Sequence, residues 1–345
     1  MNTQNLASLI FELCSEDGII SKHSAFVLAL QKLKQYSNDA HFDRMGNIIA
    51  NIFPPKEGGE HVMIEAHLDE IGFVIIGINK EGFLLIDKVG GVDPRVLLSS
   101  EVTVYGKKKL FGVFCSKPPH LTNSEDYKKT PSLDEMAIDI GMNHEKACEA
   151  VSVGDYVFLK RSPTKLENGL ITSKALDDRA GIASLLRTLE IIKDETLDCG
   201  LTVVFTISEE CGERGAKVAA FAVAPTIAIS VDVSHGLTPD APAEKCGELQ
   251  KGPMIGLSPV LTSEISEKLI NLAEFHNINY QKEIMSSQTG TNSDVISISR
   301  EGVQTGLISI PLRYMHTAAE VIAIEDVEAT AQLLAKFIMS IKEAI

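Results

Sequence analysis

The chain has 345 residues, with 32 Lys and Arg against 47 Asp and Glu, a formal charge of -15. An apolar fraction of 44% is enough to build a sizeable core and excludes both a disordered chain and a small disulfide scaffold. So acidic a chain repels phosphate backbones and anionic lipid, which argues against nucleic-acid and membrane-surface partners and directs attention to carboxylates gathered around cations.

No apolar run approaches the ~18–20 residues of a membrane span. Residues 1–13 carry no basic residue ahead of their apolar positions, unlike a signal peptide. The six cysteines are scattered without a C-x-x-C pair, which suits a cytoplasmic protein whose thiols serve as packing residues. The length suggests two domains.

In chain order, Leu6, Leu9, Ile10 and Leu13 predict a helix with one apolar face, followed by a helix over 24–36 and strands over 46–51 and 62–66. The texture then changes. Apolar runs at 73–78 and 83–86 flank Asn79-Lys80-Glu81-Gly82, a hairpin signal, and 102–105 with 110–115 repeat the pattern. Residues 72–162 read as a small inserted β domain, and 1–71 with 163–345 as one α/β domain. After Pro163 come a helix at 177–192, apolar strands at 201–207, 227–231 and 303–310, and a final helix. The stripe of that helix is Val327, Ala331, Leu334, Ile338, Ile341 and Ile345.

In such sheets ligands gather at the carboxyl ends of strands, so acidic residues and histidines directly after apolar strands are the candidates. His67 and Asp69 stand two apart, so on an extended chain both point the same way. One can bind a metal while the other orients it. Asp177 and Asp178 open a helix; one suffices as a cap, leaving the other to bridge two cations. Glu209 and Glu210 place two like charges at the end of a buried strand, which is costly unless something positive is near. Asp232 and His316 follow further strands; alone, the first reads as turn chemistry and the second as a packed ring.

Jointly these are two imidazoles and three carboxylates. If Asp177 bridges, His67, Asp177 and Asp232 serve one metal, and Asp177, Glu210 and His316 the other. Mixed nitrogen and oxygen ligation suits catalytic zinc or cobalt better than magnesium or calcium. Glu209 is then free to deprotonate a water held between two ions.

The stretches AHLDEIGFVI (66–75), DKVGGVDPRVL (87–97), KPPHL (117–121), SKALDDRAGIA (173–183), SEECGERGA (208–216), SVDVSHG (230–236) and IPLRYMHTAAEVI (310–322) resemble, in the same order, the tetrahedral dodecameric metallo-aminopeptidases. Members of that family carry the names glutamyl aminopeptidase, CelM and FrvX. The resemblance implies a three-layer α/β/α metallopeptidase domain with a β-barrel-like insert that helps assembly. It implies a dinuclear site on His67, Asp177, Glu210, Asp232 and His316, with Glu209 as general base and Asp69 orienting His67. The choice of Asp177 over Asp178 comes from this resemblance. It also implies peptide substrates, two divalent ions (zinc, with cobalt or manganese as substitutes) and a dodecamer. An endoglucanase-type glycoside hydrolase is the competing enzyme. Paired carboxylates do that chemistry, but at separations of ~5–9.5 Å across the sugar bond, which adjacent residues do not offer. A non-catalytic protein of the same fold is the remaining alternative.

Overall fold

The computed structural model describes residues 3–117, 129–239 and 241–341; KPPHL from residue 118 on, and Ile345, lie outside them. The chain begins with α1 (Thr3–Cys14), α2 (Ser24–Leu33), β1 (His41–Phe42), β2 (Ile48–Phe53) and β3 (His61–His67). Next come β4 (Gly72–Ile78), β5 (Leu84–Val89), β6 (Glu101–Tyr105), β7 (Lys109–Ser116), β8 (Met136–Asp139), α3 (His144–Ala150) and β9 (Tyr156–Leu159). They are followed by β10 (Thr164–Lys165), β11 (Leu170–Ser173), α4 (Leu176–Ile192), β12 (Gly200–Thr206), α5 (Arg214–Val223), β13 (Ile227–His235) and β14 (Met254–Leu257). Last are α6 (Ser263–Phe275), β15 (Gln281–Ile284), α7 (Ser293–Ile296), β16 (Gln304–Leu312), β17 (Glu320–Ala323) and α8 (Ile324–Met339).

Two compact units result. One takes Met1–Glu70, Pro163–Met315 and Glu320–Ile345; the other takes Ile71–Ser162 with His316–Ala319. In the first, eight strands form a sheet in the order β1-β2-β12-β3-β13-β16-β14-β15. Its centre, β12-β3-β13-β16, is parallel throughout. Each central strand splits its residues between two faces, as a period of two requires. On β3, Val62, Ile64 and Ala66 join the larger core with α1, α4 and α8, while Met63 packs with Ala216, Ala219 and Ala220 of α5 and Ile296 of α7. Helices therefore cover both faces, the expected α/β/α layering. Burial on both sides explains why β3 and β12 are buried at every position. The helical stripes are also buried: Leu6, Leu9, Ile10 and Leu13 on α1, and Val327, Ala331, Leu334 and Ile338 on α8.

The second unit is a closed antiparallel barrel, β4-β5-β8-β7-β6-β9. Alternate residues fill it, among them Phe73, Ile75, Leu84, Ile86, Val102, Val104, Phe114 and Val157. Phe73 meets Phe114 edge-on, centroids 4.9 Å apart. The predicted hairpin forms at Asn79, whose side-chain oxygen accepts the amides of Glu81 at 3.1 Å and Phe83 at 2.9 Å. Three features were not expected from the sequence. The helix predicted over 24–36 ends at Leu33, the insert carries the short helix α3, and a small sheet β10-β11-β17 joins distant segments. No helix among the described residues is long and apolar enough to cross a membrane.

Candidate active site

The carboxyl ends of the parallel strands bring the predicted acidic residues together. His67 ends β3, Asp232 lies on β13, Glu209 and Glu210 follow β12, and Asp177 opens α4. His67, Asp177 and Asp232 each place a ligand atom within 4.8 Å of the other two, and Asp177 and Glu210 do the same with each other. Asp177 is thus common to both groupings. The ring of His67 is held from two sides. Its Nδ1 lies 3.0 Å from the Asp69 carbonyl oxygen, and its Nε2 lies 2.9 Å from Asp177 Oδ1 and 3.8 Å from Asp232 Oδ1.

Asp69 does more than orient that ring, and it does so differently from the expectation. The contact to Nδ1 is through its backbone carbonyl, its carboxylate standing 3.8 Å away. The carboxylate instead accepts the amides of Glu209 at 3.2 Å and Glu210 at 3.3 Å. It therefore fixes the turn that carries both glutamates.

The two aspartates at the start of α4 divide the work. Asp178 Oδ1 accepts the Gly181 amide at 2.9 Å, a cap that satisfies an orphan helix donor. A Cβ at Gly181 would lie 2.3 Å from that carboxylate, so the cap requires glycine there. Asp177, the spare, faces His67. Both have non-helical dihedrals, so regular helix begins at Arg179, later than the predicted start at 177. Ala175 and Ser208, just ahead of the aspartate and glutamate pairs, hold φ of 55° and 60°. Such left-handed residues cost energy and cluster where a surrounding structure imposes a functional geometry.

Electrostatics single out the same place. Burial, reinforced by the charges of Asp177, Glu210 and Asp69, raises Glu209 to about 8 despite the opposing charge of His67. Burial raises Asp69 to about 6, and puts Asp178 and Asp232 well above the usual carboxylate range. Burial alone would lower His67. The hydrogen bond to Asp177 and the charges of Glu209 and Asp232 overcome it and raise the imidazole well above its ordinary value. Without a cation the cluster can relieve its repulsion only by holding protons. Carboxylates and an imidazole crowded in this way are donors of the types that divalent ions take.

His316 opens the four-residue segment counted with the barrel unit and has φ 61°. Its ring sits against Gly91, where a Cβ would come 2.7 Å from Nδ1.

Behind the site lies a group the sequence reading passed over. Arg179, fully buried, pairs with Glu70 at 2.8 Å; Lys174 bonds Glu70 at 2.6 Å and Asp17 at 2.8 Å. Glu70 Oε1 also accepts the Gly18 amide at 2.8 Å. The signal was present: an arginine on a helix otherwise buried along most of its length. Replacing Arg179 by Met is expected to cost about 3–5 kcal/mol, because buried Glu70 loses one of its two cations and the carbonyls of Leu13 and Glu16 lose their donor. Urea unfolding would measure it, and a loss under 1 kcal/mol would contradict the account. Glu65, a carboxylate within apolar β3, was also missed. It accepts from Asn292 at 2.9 Å, and burial raises it to about 7.

Comparison with known proteins agrees with this geometry. Residues 46–333 match the M42 glutamyl aminopeptidase family. The chain belongs to that family. It is an aminopeptidase, a hydrolase of peptide bonds, and M42 aminopeptidases are metal-dependent. The lysyl aminopeptidase of Pyrococcus furiosus is 30% identical over 319 residues, covering 91% of this chain and 91% of its own. Among solved structures, an aminopeptidase from the archaeon Desulfurococcus kamchatkensis is 32% identical with a TM-score of 0.90, covering 98% of this chain and 95% of that one. The TET1 peptidase of Pyrococcus horikoshii, described as assembling into a tetrahedron or a large octahedral shell, is 27% identical. Its TM-score is 0.85, over 97% of this M42 chain and 99% of its own.

Proposed function

We propose that this M42 member is a dinuclear metallo-aminopeptidase that removes N-terminal residues from peptides. The observation that carries the reading is the convergence of His67, Asp177 and Asp232 within 4.8 Å, with Asp177 equally close to Glu210 and Glu209 adjoining. His67, Asp177 and Asp232 would hold one divalent ion; Asp177, Glu210 and His316 would hold a second. Two such ions, zinc first with cobalt or manganese as substitutes, would supply Lewis acidity toward the scissile carbonyl and lower the pKa of water.

The protein's own groups do the rest. With its Nδ1–H donating to the Asp69 carbonyl, His67 would present the Nε2 lone pair for ligation. A divalent ion would take the place of the 2.9 Å contact between Nε2 and Asp177. Asp69 keeps the turn bearing Glu209 and Glu210 in register through their amides. Glu209, not consumed by ligation, takes a proton from the attacking water and passes it to the departing amine. The free α-amine of the substrate is favoured by the surrounding carboxylates, so N-acetylated substrates are expected to be poor.

The test is a panel of aminoacyl p-nitroanilides and their N-acetyl counterparts, assayed with metal-loaded protein. Cleavage confined to free amines supports the reading; preference for acylated substrates, or none cleaved, overturns it. Chelation separates it from an endoglucanase, which would remain active. The place of His316 has its own test. Gly91→Ala pushes against the ring, and activity is expected to fall ~10–100-fold while the fold persists by circular dichroism. Full activity in that variant would remove His316 from the ligand set. By analogy with the assembling relative, the chain forms a homo-oligomer, a dodecamer, in which the barrel unit serves dimerisation or acts as a lid. Light scattering tests that state.

A further inference from the structure

One carboxylate on the sheet face of Asp232 plays no part in the proposed ligand set. Glu283, on edge strand β15, reaches past β14, where Ser309 on β16 donates to Oε2 at 2.7 Å and Ser234 on β13 donates to Oε1. Both serines lie beside Asp232. Ser309 is its direct register partner on the adjacent parallel strand, one strand spacing of ~4.8 Å away. Ser234 follows Asp232 by two residues and therefore faces the same side. The Glu283 carboxylate thus stands one serine side chain away from the register partner of a proposed metal ligand.

Its surroundings leave it short of charge. Glu283 is half-buried, and no ion pair to it is found among the described residues. The two hydroxyls engage one lone pair on each oxygen, while an ionised carboxylate can accept about four hydrogen bonds. A partly desolvated carboxylate with spare acceptor capacity and no countercharge is a receptor for a cation that arrives from outside. On the proposed reading the ligand carboxylates already attract the α-amine of the substrate, so the cation left for Glu283 is one carried by the N-terminal side chain.

We propose that Glu283, braced by Ser234 and Ser309, selects substrates whose N-terminal side chain is cationic, lysyl or arginyl. The inference rests on the aminopeptidase reading and deepens it. The competing role for Glu283 is structural, tying β15 to β13 and β16, and it predicts the same loss for every substrate.

The experiment compares kcat/KM for Lys-, Arg-, Leu- and Glu-p-nitroanilides in the metal-loaded wild type, E283Q and E283K. The wild type is expected to favour Lys and Arg, less strongly as salt rises. E283Q should lower kcat/KM for Lys at least ~10-fold more than for Leu, since a charge-assisted bond is lost. E283K should shift preference toward Glu. A wild type favouring Leu or Glu, or an equal loss on all four substrates in E283Q, would overturn the selection while leaving the aminopeptidase reading intact. Failure of the wild type on all four would overturn both.

Discussion

Glu209→Gln is expected to lower kcat by ~10²–10⁴-fold, about 3–5 kcal/mol of barrier, with little change in KM or metal content. Gln keeps the volume of the side chain and leaves undisturbed the amide that Asp69 accepts. It cannot take a proton. Removing a proton carrier while preserving its frame isolates the chemical step from binding and folding. The pH profile gives a second readout. With no cation present, burial and the charges of Asp177, Glu210 and Asp69 raise Glu209 to about 8. Bound divalent ions would draw that value down, so the wild type should show an acid limb that the variant lacks. Elemental analysis of the variant should find the wild-type metal content. Turnover near wild-type would refute the proton-carrying role.

Removal of metal is expected to abolish activity and to make stability depend on pH in a particular direction. In the metal-free chain burial raises Glu65 to about 7, Glu209 to about 8 and Asp69 to about 6, and it holds Asp178 and Asp232 well above the usual carboxylate range. A carboxyl whose folded value exceeds its unfolded one contributes stability that is complete below the unfolded value and is lost as pH rises through the folded value. His67, also raised, acts in the same sense. The chelated protein should therefore melt at progressively lower temperature between about pH 5 and pH 8. Divalent ions bind the deprotonated groups, so the rise in Tm on adding zinc or cobalt should be larger at pH 8 than at pH 6. Calorimetry at the two pH values with and without metal measures this. A metal-induced shift that is absent, or larger at pH 6, would contradict a site built on these carboxylates.

Much of this molecule was legible before any coordinates. The run 201–207 read as a central strand because burial on two faces leaves no polar alternation, and the runs at 73–78, 83–86, 102–105 and 110–115, paired around turn residues, read as a small β domain. His67, the Asp177–Asp178 and Glu209–Glu210 pairs and Asp232 stood out because polar groups after apolar strands are expensive without a reason. Which member of a pair did what was not legible. Asp178 caps and Asp177 faces the imidazole because the chain departs from helical dihedrals at both residues, which places their carboxylates in different surroundings. That departure is a local backbone outcome of packing around α4 rather than a property of two identical side chains.

Asp69 makes the same point across a longer distance. Its spacing from His67 predicted a contact to that ring, but its carboxylate is claimed by two amides that lie 140 residues or more further along. Arg179 with Glu70, Glu65 with Asn292, and Glu283 with Ser234 and Ser309 are likewise pairings between segments far apart in sequence. Amino-acid order alone determined the strand–helix alternation, the β-rich insert and the residue types available to a metal, because these depend on hydropathy period and chain punctuation. Only the tertiary structure decided which carboxylate meets which partner, because a charged side chain takes its role from the neighbours that desolvate and pair it, and those neighbours are set by strand order.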